Sequence, residues 1–276
     1  MLRKKEISGK EIERQRAELA RRNKSFTDSI TYAKRIQHAL LPSNEAFKSL
    51  LPNSFVLFIP KDIVSGDFYW INQHGNKIYV AAVDCTGHGV PGAFMSIIGF
   101  ELFRQITASE QGSNPAMILD TLNENFSEIF SDGEQVYLND GMDLSLCIID
   151  RKEKSLDYSG AFNPLYLVRN ETIIEVKADR FSVGADVHFS TNRKLFKSHK
   201  IYFQKDDIIY MFSDGYADQF GGPEGKKFKY RRFRHLLLTI HKLPMDKQQA
   251  ILESSIQEWK GNSDQIDDIL VIGIRP

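Results

Sequence analysis

Apolar side chains recur at every seventh position along the first 41 residues, in a segment that is otherwise mostly charged or polar. The stripe consists of Ile12, Leu19, Phe26, Ala33 and Leu40, with Ile36 at a companion position. Seven-residue spacing places apolar residues on one side of a helix and is typical of a coiled coil. The pattern therefore predicts a long N-terminal helix. A lone helix of this kind is marginal in water, so we expect it to pair with a second copy or to pack on the following domain. A charged, frayed tail is the alternative.

This helix is expected to end at Leu41, because Pro42 follows and the residue before a proline is pushed out of the α region. We therefore divide the chain into an N-terminal helical linker, residues 1–42, and a globular domain, residues 43–276. Polar residues at the companion positions Gln15, Arg22 and Ser29 would keep the pairing of two such helices weak.

From Ser54 onward, short runs of β-branched and aromatic residues bounded by turn residues predict strands. These runs are residues 55–59, 68–71, 77–83, 144–149, 155–159, 165–168, 172–176, 200–203, 208–212 and 269–274. Helical spacing of apolar residues occurs at 92–107, 115–130 and 245–259. Strands come in blocks and do not alternate with single helices. The prediction is therefore an α+β sandwich of antiparallel sheets with helices packed outside.

The composition of the chain argues against some kinds of binding partner and favours one kind of cellular compartment. The 276 residues include 36 basic and 36 acidic side chains, so no overall field favours nucleic acid or an anionic membrane as a partner. Two cysteines, Cys85 and Cys147, suit a reducing compartment, and we expect a cytoplasmic protein. The most apolar stretch, residues 93–103, contains Glu101 and is shorter than the roughly 18 residues of a membrane span. We expect neither a span nor a secretion signal in this segment.

Four acidic residues stand at the ends of apolar strands. Asp67 opens one strand, Asp84 and Asp214 each close one, and Asp267 precedes the last. Carboxylates held together beside a core are costly unless a cation lies between them. Their convergence would form an oxygen-rich site for Mg²⁺ or Mn²⁺, and two such ions could activate a water for attack on a phosphoryl group. Each residue alone is equally typical of an ordinary turn; the combination favours a metal site.

A glycine-rich connection follows Asp84 and leads from a strand into a helix. Its sequence, DCTGHGVPGA at 84–93, combines glycines that permit close backbone approach with a helix start that favours anions. A tight strand-to-helix turn is the alternative interpretation. The chain contains no nucleotide-binding loop of the Gly-x-x-x-x-Gly-Lys-Ser/Thr type.

Taken in order, these segments resemble the SpoIIE-type serine phosphatases of bacteria, a branch of the PPM (protein phosphatase 2C-like) superfamily. The runs that carry the resemblance are VSGDFYW at 64–70, DCTGHGVPGAFMS at 84–96, FSDG at 212–215 and DDI at 267–269. The resemblance implies an αββα sandwich with two Mn²⁺ or Mg²⁺ ions. In it, Asp67 would ligate both ions, Asp84 and the Cys85 carbonyl one of them, and Asp214 with Asp267 the other. Asp268 competes with Asp267 for the last position.

Three further residues near these motifs are candidates for a role in the site. His88 stands two residues later than the histidine of the related Asp-Gly-His-Gly pattern, so bracing of the loop or burial in the core competes with a general-acid role. Asp143, at the start of a strand, either joins the metal cluster or is an ordinary strand-start carboxylate. Lys61 is a candidate phosphate contact only by its place in the sequence.

The resemblance implies hydrolysis of phosphoserine or phosphothreonine by direct attack of a metal-bridging water. The implied substrate is a phosphorylated regulatory protein, such as an anti-sigma factor antagonist. The N-terminal helix would join the domain to an upstream sensor in a homodimer that serves signal transduction. Two alternatives remain: a phosphoprotein-binding pseudophosphatase and a two-metal phosphodiesterase. A basic run would steer acidic substrates or be a solvated face. It consists of Lys226, Lys227, Lys229, Arg231, Arg232 and Arg234.

Overall fold

The structure, a computed structural model, describes residues 2–108, 114–131, 141–184 and 194–276. Its helices are α1 (Leu2–Leu40), α2 (Asn44–Leu50), α3 (Gly89–Thr107), α4 (Pro115–Ser131), α5 (Gly215–Asp218), α6 (Lys229–Ile240) and α7 (Met245–Lys260). Its strands are β1 (Ser54–Ile59), β2 (Phe68–His74), β3 (Lys77–Cys85), β4 (Met142–Asp150), β5 (Ser155–Ala161), β6 (Leu165–Arg169), β7 (Thr172–Val176), β8 (His199–Tyr202), β9 (Ile208–Phe212), β10 (Phe220–Gly221), β11 (Lys226–Lys227) and β12 (Ile269–Ile274).

Ten of these strands form two antiparallel sheets of five strands each. The first sheet has the order β1-β12-β9-β6-β7, and the second has the order β2-β3-β4-β5-β8. The first and last strands of the globular domain, β1 and β12, are neighbours, with Ser54 opposite Ile274. Because neighbouring strands run antiparallel, the start of one strand lies beside the end of the next. This geometry is what later brings the acidic strand ends together.

The two sheets pack face to face, and helices cover their outer faces. Residues of both sheets, among them Val80 of β3 and Met211 of β9, form the central core. Helices α3 and α4 pack on the second sheet, and α6 and α7 pack on the first. Successive residues of β4 face different layers: Leu146 faces α3 and α4, while Cys147 faces the first sheet. This is the predicted α+β fold, an αββα sandwich, and burial on both faces explains the nearly continuous apolar runs.

The long N-terminal helix is confirmed, and α1 contacts the globular part through α3. Its apolar stripe is open in the single chain: Ile12 is 47%, Leu19 59% and Phe26 64% exposed. The polypeptide leaves the helix at Leu41, whose N–H still donates to Gln37. Within the described part of the chain, none of the helices is long and apolar enough to traverse a bilayer.

Most predicted elements are present, and the differences have local causes. The hairpin at residues 74–76 joins β2 to β3 with Gly75 at a positive φ of 57°. Asn114 caps α4, since its side-chain oxygen accepts the N–H of Ala116. Helix α6 was not predicted, because the basic residues at 226–234 obscure the helical spacing of its three buried apolar residues, Phe233, Leu237 and Ile240.

Candidate active site

The first pair of acidic residues meets at one end of the second sheet. Strands β2 and β3 pair antiparallel with Phe68 opposite Val83. Asp67, directly before β2, therefore lies beside Asp84 near the end of β3. The next strand, β4, places Asp143 directly opposite Asp84. The register thus gathers three carboxylates from one hairpin and its neighbour.

The second group lies at an end of the first sheet. Strands β9 and β12 pair antiparallel with Phe212 opposite Val271, so Asp214, just after β9, lies beside Asp267 and Asp268, just before β12. Gly215 permits this approach, because a Cβ at that position would stand 2.0 Å from the Asp268 carbonyl oxygen. The two groups lie close to each other across the sandwich, since the charges of Asp214 and Asp267 both raise the pKa of Asp84 after burial has done so.

The cluster is strongly acidic and sheltered from solvent. Burial, followed by repulsion from Asp84, raises the pKa of Asp67 well above its usual range. Burial, followed by Asp214 and Asp267, does the same to the pKa of Asp84. Burial with repulsion from Asp267 raises the pKa of Asp214 to about 6. Carboxylates held in this way are unstable as neighbouring anions, which is the environment that a bound cation relieves.

The donor set fits a hard divalent cation. Asp67 is 2% exposed, and its Oδ2 is buried without a hydrogen-bond partner in the structure. The backbone of the glycine-rich turn packs tightly against the same segment, since a Cβ on Gly66 would stand 3.2 Å from the Cys85 carbonyl oxygen and 2.4 Å from that of Gly87. Carboxylate and carbonyl oxygens are the ligands that Mg²⁺ and Mn²⁺ prefer.

These side chains do not form a closed cage. Within residues 2–108, 114–131, 141–184 and 194–276, no three His, Cys, Asp or Glu side chains converge closely enough to hold an ion as they stand. The fit to a cation therefore rests on the chemistry and burial of the donors and not on a preformed geometry.

Asp268 has a different function from its neighbour. Its carboxylate accepts the backbone N–H of Lys61 at 2.7 Å and that of Gly66 at 2.8 Å. The residue is 2% exposed, so both of its oxygens are engaged in bonds within the protein. Asp267 makes no such connection to the Gly66 segment and raises the pKa of Asp84. Asp268 thus braces the segment from Lys61 to Gly66, whereas the Oδ1 of Asp267 accepts the N–H of Asp268 at 2.9 Å.

The residues around the cluster also have defined partners. His88 is half exposed, and its Nδ1 lies 2.8 Å from Oδ2 of Asp62. This contact links the glycine-rich turn to the segment before Asp67, so His88 braces the loop. No pattern in the sequence indicates a role for Asp62. The Ser182 hydroxyl donates to Asp143. Burial raises the pKa of Asp267, and the Lys61 and His88 side chains lie close enough to offset part of this rise.

Much of the charge in the basic run is already paired. Lys226 contacts Glu224 at 2.5 Å, and Lys227 contacts Asp218 at 2.6 Å. Arg234 binds Glu175, and the guanidinium of Arg232 lies over the Trp259 ring. The sequence contains no acid within the run, but the fold supplies several from other elements. Steering of a substrate by this surface would therefore depend on the members that form no ion pair with the described residues: Lys229, Arg231 and Arg232.

Comparison with known proteins places the chain in a family. The family model described as stage II sporulation protein E (SpoIIE) matches residues 74–276. This segment contains Asp84, Asp214 and Asp267, and begins after Asp67. No curated protein matches the chain significantly.

Solved structures give the same result. The SiaA-PP2C domain of Pseudomonas aeruginosa is 29% identical with a TM-score of 0.83, and the match covers 92% of this chain and 98% of that one. The PP2C phosphatase domain of SpoIIE from Bacillus subtilis, solved with a fragment of its regulatory domain, is 20% identical with a TM-score of 0.65, over 81% and 63% of the two chains. The RsbU and RsbW domains of a Mycobacterium tuberculosis protein are 16% identical with a TM-score of 0.64, over 82% and 60%.

The similarity to the last two structures is a similarity of fold, whereas the match to the SpoIIE family model spans most of the globular domain. The fold, the order of the motifs and the meeting of the acidic strand ends agree with it. The chain belongs to the SpoIIE family and is a serine/threonine phosphatase of the PPM type.

Proposed function

We propose that this phosphatase is cation-dependent and removes phosphate from phosphoserine or phosphothreonine of a regulatory protein. The observation that carries the proposal is the gathering of buried strand-end carboxylates around Asp67, whose Oδ2 has no hydrogen-bond partner among the described residues. Such a site is unfavourable by itself and becomes favourable with divalent cations. Among regulatory proteins, we propose the class of anti-sigma factor antagonists as the substrate.

The residues proposed to hold the cations are Asp67, Asp84, the Cys85 carbonyl, Asp214 and Asp267. We propose two ions, Mn²⁺ or Mg²⁺, because the ligands come from two groups, one on each sheet. When bound, such ions supply Lewis acidity and an activated water at neutral pH. Asp67, which belongs to the more deeply buried group, is the ligand that we propose both ions share.

The protein's own residues position the reacting groups. Asp268 fixes the backbone at Lys61 and Gly66, and so fixes the segment that carries Asp67. The Lys61 ammonium is proposed to contact the phosphate, because it is a cation within electrostatic reach of Asp267. The pair formed by His88 and Asp62 holds the glycine-rich turn at the rim of the site.

The experiment that tests this function is release of phosphate from a phosphoserine protein by the purified chain, with Mn²⁺ and then with an excess of chelator. Rapid release that the chelator abolishes is the expected result. Binding of the phosphoprotein without turnover would instead indicate a pseudophosphatase. Faster hydrolysis of bis(p-nitrophenyl) phosphate than of the phosphoprotein would indicate a phosphodiesterase. Either result would contradict the proposal.

We further propose that α1 pairs with its copy in a homodimer and serves as the linker, residues 1–42, from an upstream sensor to the domain, residues 43–276. Exposure of Ile12, Leu19 and Phe26 supports the pairing, because three large apolar side chains on one side of a helix favour burial. The contact of α1 with α3 supports the connection to the catalytic domain. A cytoplasmic location remains a prediction from the two free thiols.

A further inference from the structure

One polar side chain of α1 is buried although the helix is otherwise largely open to solvent. Gln37 is 4% exposed, whereas Ile36 beside it is 47% exposed and Leu40 is 38% exposed. Burial of a primary amide is unfavourable unless its hydrogen bonds are satisfied inside the protein. The surroundings of Gln37 therefore indicate what the side chain holds.

The amide of Gln37 makes three hydrogen bonds to the globular domain. Its Nε2 donates to the Ser65 carbonyl oxygen at 2.6 Å and to the Ser96 hydroxyl at 2.8 Å, and its Oε1 accepts the Ser65 N–H at 3.1 Å. The Ser96 hydroxyl in turn donates to the Ala93 carbonyl in the first part of α3. This side chain thus connects α1 with α3 and forms hydrogen bonds with both the N–H and the carbonyl group of Ser65.

Ser65 stands two residues before Asp67, in the segment that leads into β2. The residue between them, Gly66, donates its N–H to Asp268 at 2.8 Å. The segment is therefore held from two directions, by Gln37 from α1 and by Asp268 from the start of β12. Tight packing of Gly66 against the Cys85 and Gly87 carbonyls leaves this backbone little freedom to move by itself.

We infer that Gln37 is a positioning residue, which sets the place of the Asp67 carboxylate from outside the globular domain. The inference rests on the proposed function, because it takes Asp67 as a cation ligand. A residue with only a packing role could be replaced by an apolar side chain of equal length without an effect on the site. A positioning residue cannot, because both backbone groups of Ser65 would then lose their partner.

The test uses the full chain with Gln37→Met, which preserves length and volume but removes all three hydrogen bonds. The matched control is Gln257→Met, the same exchange at an exposed helical position, on α7. Binding of Mn²⁺ is measured by titration calorimetry, and the Mn²⁺ concentration for half-maximal hydrolysis of p-nitrophenyl phosphate is measured in parallel. Partners that orient a metal ligand typically contribute about tenfold or more to affinity, so we expect about tenfold weaker Mn²⁺ binding in Gln37→Met and no change in Gln257→Met.

Folding is checked by circular dichroism and thermal unfolding in chelator. If Gln37→Met does not fold, the inference is tested with Ser96→Ala instead. This variant removes one acceptor of the Gln37 amide and keeps both hydrogen bonds between Gln37 and Ser65. It should weaken Mn²⁺ binding in the same direction and to a smaller extent, and unchanged binding would overturn the inference.

The outcomes separate the two proposals. Equal Mn²⁺ affinity of wild type and folded Gln37→Met, with binding lost in Asp67→Asn, would overturn the role of Gln37 and leave the proposed function standing. A wild-type chain that binds no Mn²⁺ would overturn the proposed function and the inference together. A parallel rise of the dissociation constant and of the half-activating concentration, confined to Gln37→Met, supports the inference.

Discussion

Replacing Asp214 by Asn should make the cation-free protein more stable, even though the residue belongs to the proposed active site. The side chain stands before the four-residue helix α5 and makes no capping hydrogen bond to it. Its pKa rises from 3.8 to about 6, first because of burial and then because of Asp267, Asp218 and Asp143. An uncharged amide of the same shape avoids this unfavourable ionisation and relieves the neighbouring carboxylates.

The magnitude follows from linkage. One pKa unit corresponds to about 1.4 kcal/mol, so a rise from 3.8 to about 6 makes ionised Asp214 lower the free energy of unfolding by up to about 3 kcal/mol. Since the folded-state pKa is raised, this loss is absent below the unfolded pKa near 4 and complete above the folded pKa near 6. The stability difference between Asp214→Asn and wild type should therefore grow between about pH 4 and 6 and then level off.

Urea unfolding in excess chelator from pH 4 to 8 measures this difference directly. Asp28→Asn, an exposed exchange on α1, is the matched control and should show no comparable gain. Addition of Mn²⁺ at about 100 times its dissociation constant should then stabilise wild type by about 2.7 kcal/mol and the variant by much less. A variant that is less stable than wild type in chelator, or a gain independent of pH, would refute the reasoning.

Three further predictions concern other parts of the molecule. Leu19→Asp in the full chain should convert a dimer to a monomer in sedimentation velocity. A wild-type chain that already sediments as a monomer would contradict the pairing of α1. This variant tests the pairing alone, whereas removal of the helix also removes Gln37. Arg231→Glu should lower kcat/KM severalfold for a phosphoprotein at low salt and leave that for p-nitrophenyl phosphate unchanged, whereas equal losses on both substrates would argue against steering. Asp268→Asn should lower the free energy of unfolding by about 2 kcal/mol because one of two buried N–H groups loses its acceptor; unchanged stability in urea would show that the brace is dispensable.

The sheets and the acidic strand ends are predictable from the sequence, because both depend on local patterns. Runs buried on both faces are apolar over their whole length, and Asp67, Asp84 and Asp214 stand where such runs stop. Antiparallel pairing then brings these ends together, a consequence of topology that the sequence indicates only through the order of its motifs.

The connections within the site depend on pairings that sequence patterns do not encode. Asp267 and Asp268 are adjacent and chemically identical, and what distinguishes them is the pair of contacts that Asp268 makes with Lys61 and Gly66, 207 and 202 residues away. Gln37 lies in a heptad-patterned helix, where a glutamine is an ordinary surface residue, and its partner Ser65 is 28 residues away. The ion pairs of the basic run likewise come from distant residues such as Glu175.

Cation-dependent release of phosphate by the wild-type chain and by Asp67→Asn tests the central claim most directly. Both proteins are supplied with a phosphoserine protein and Mn²⁺, with Asp28→Asn as the control for the exchange itself. We expect turnover in wild type and Asp28→Asn that chelator abolishes, and a loss of at least about 100-fold in Asp67→Asn with an unchanged circular dichroism spectrum, because a buried ligand charge is removed. Turnover at the wild-type rate in Asp67→Asn, or in the presence of chelator, would contradict the account.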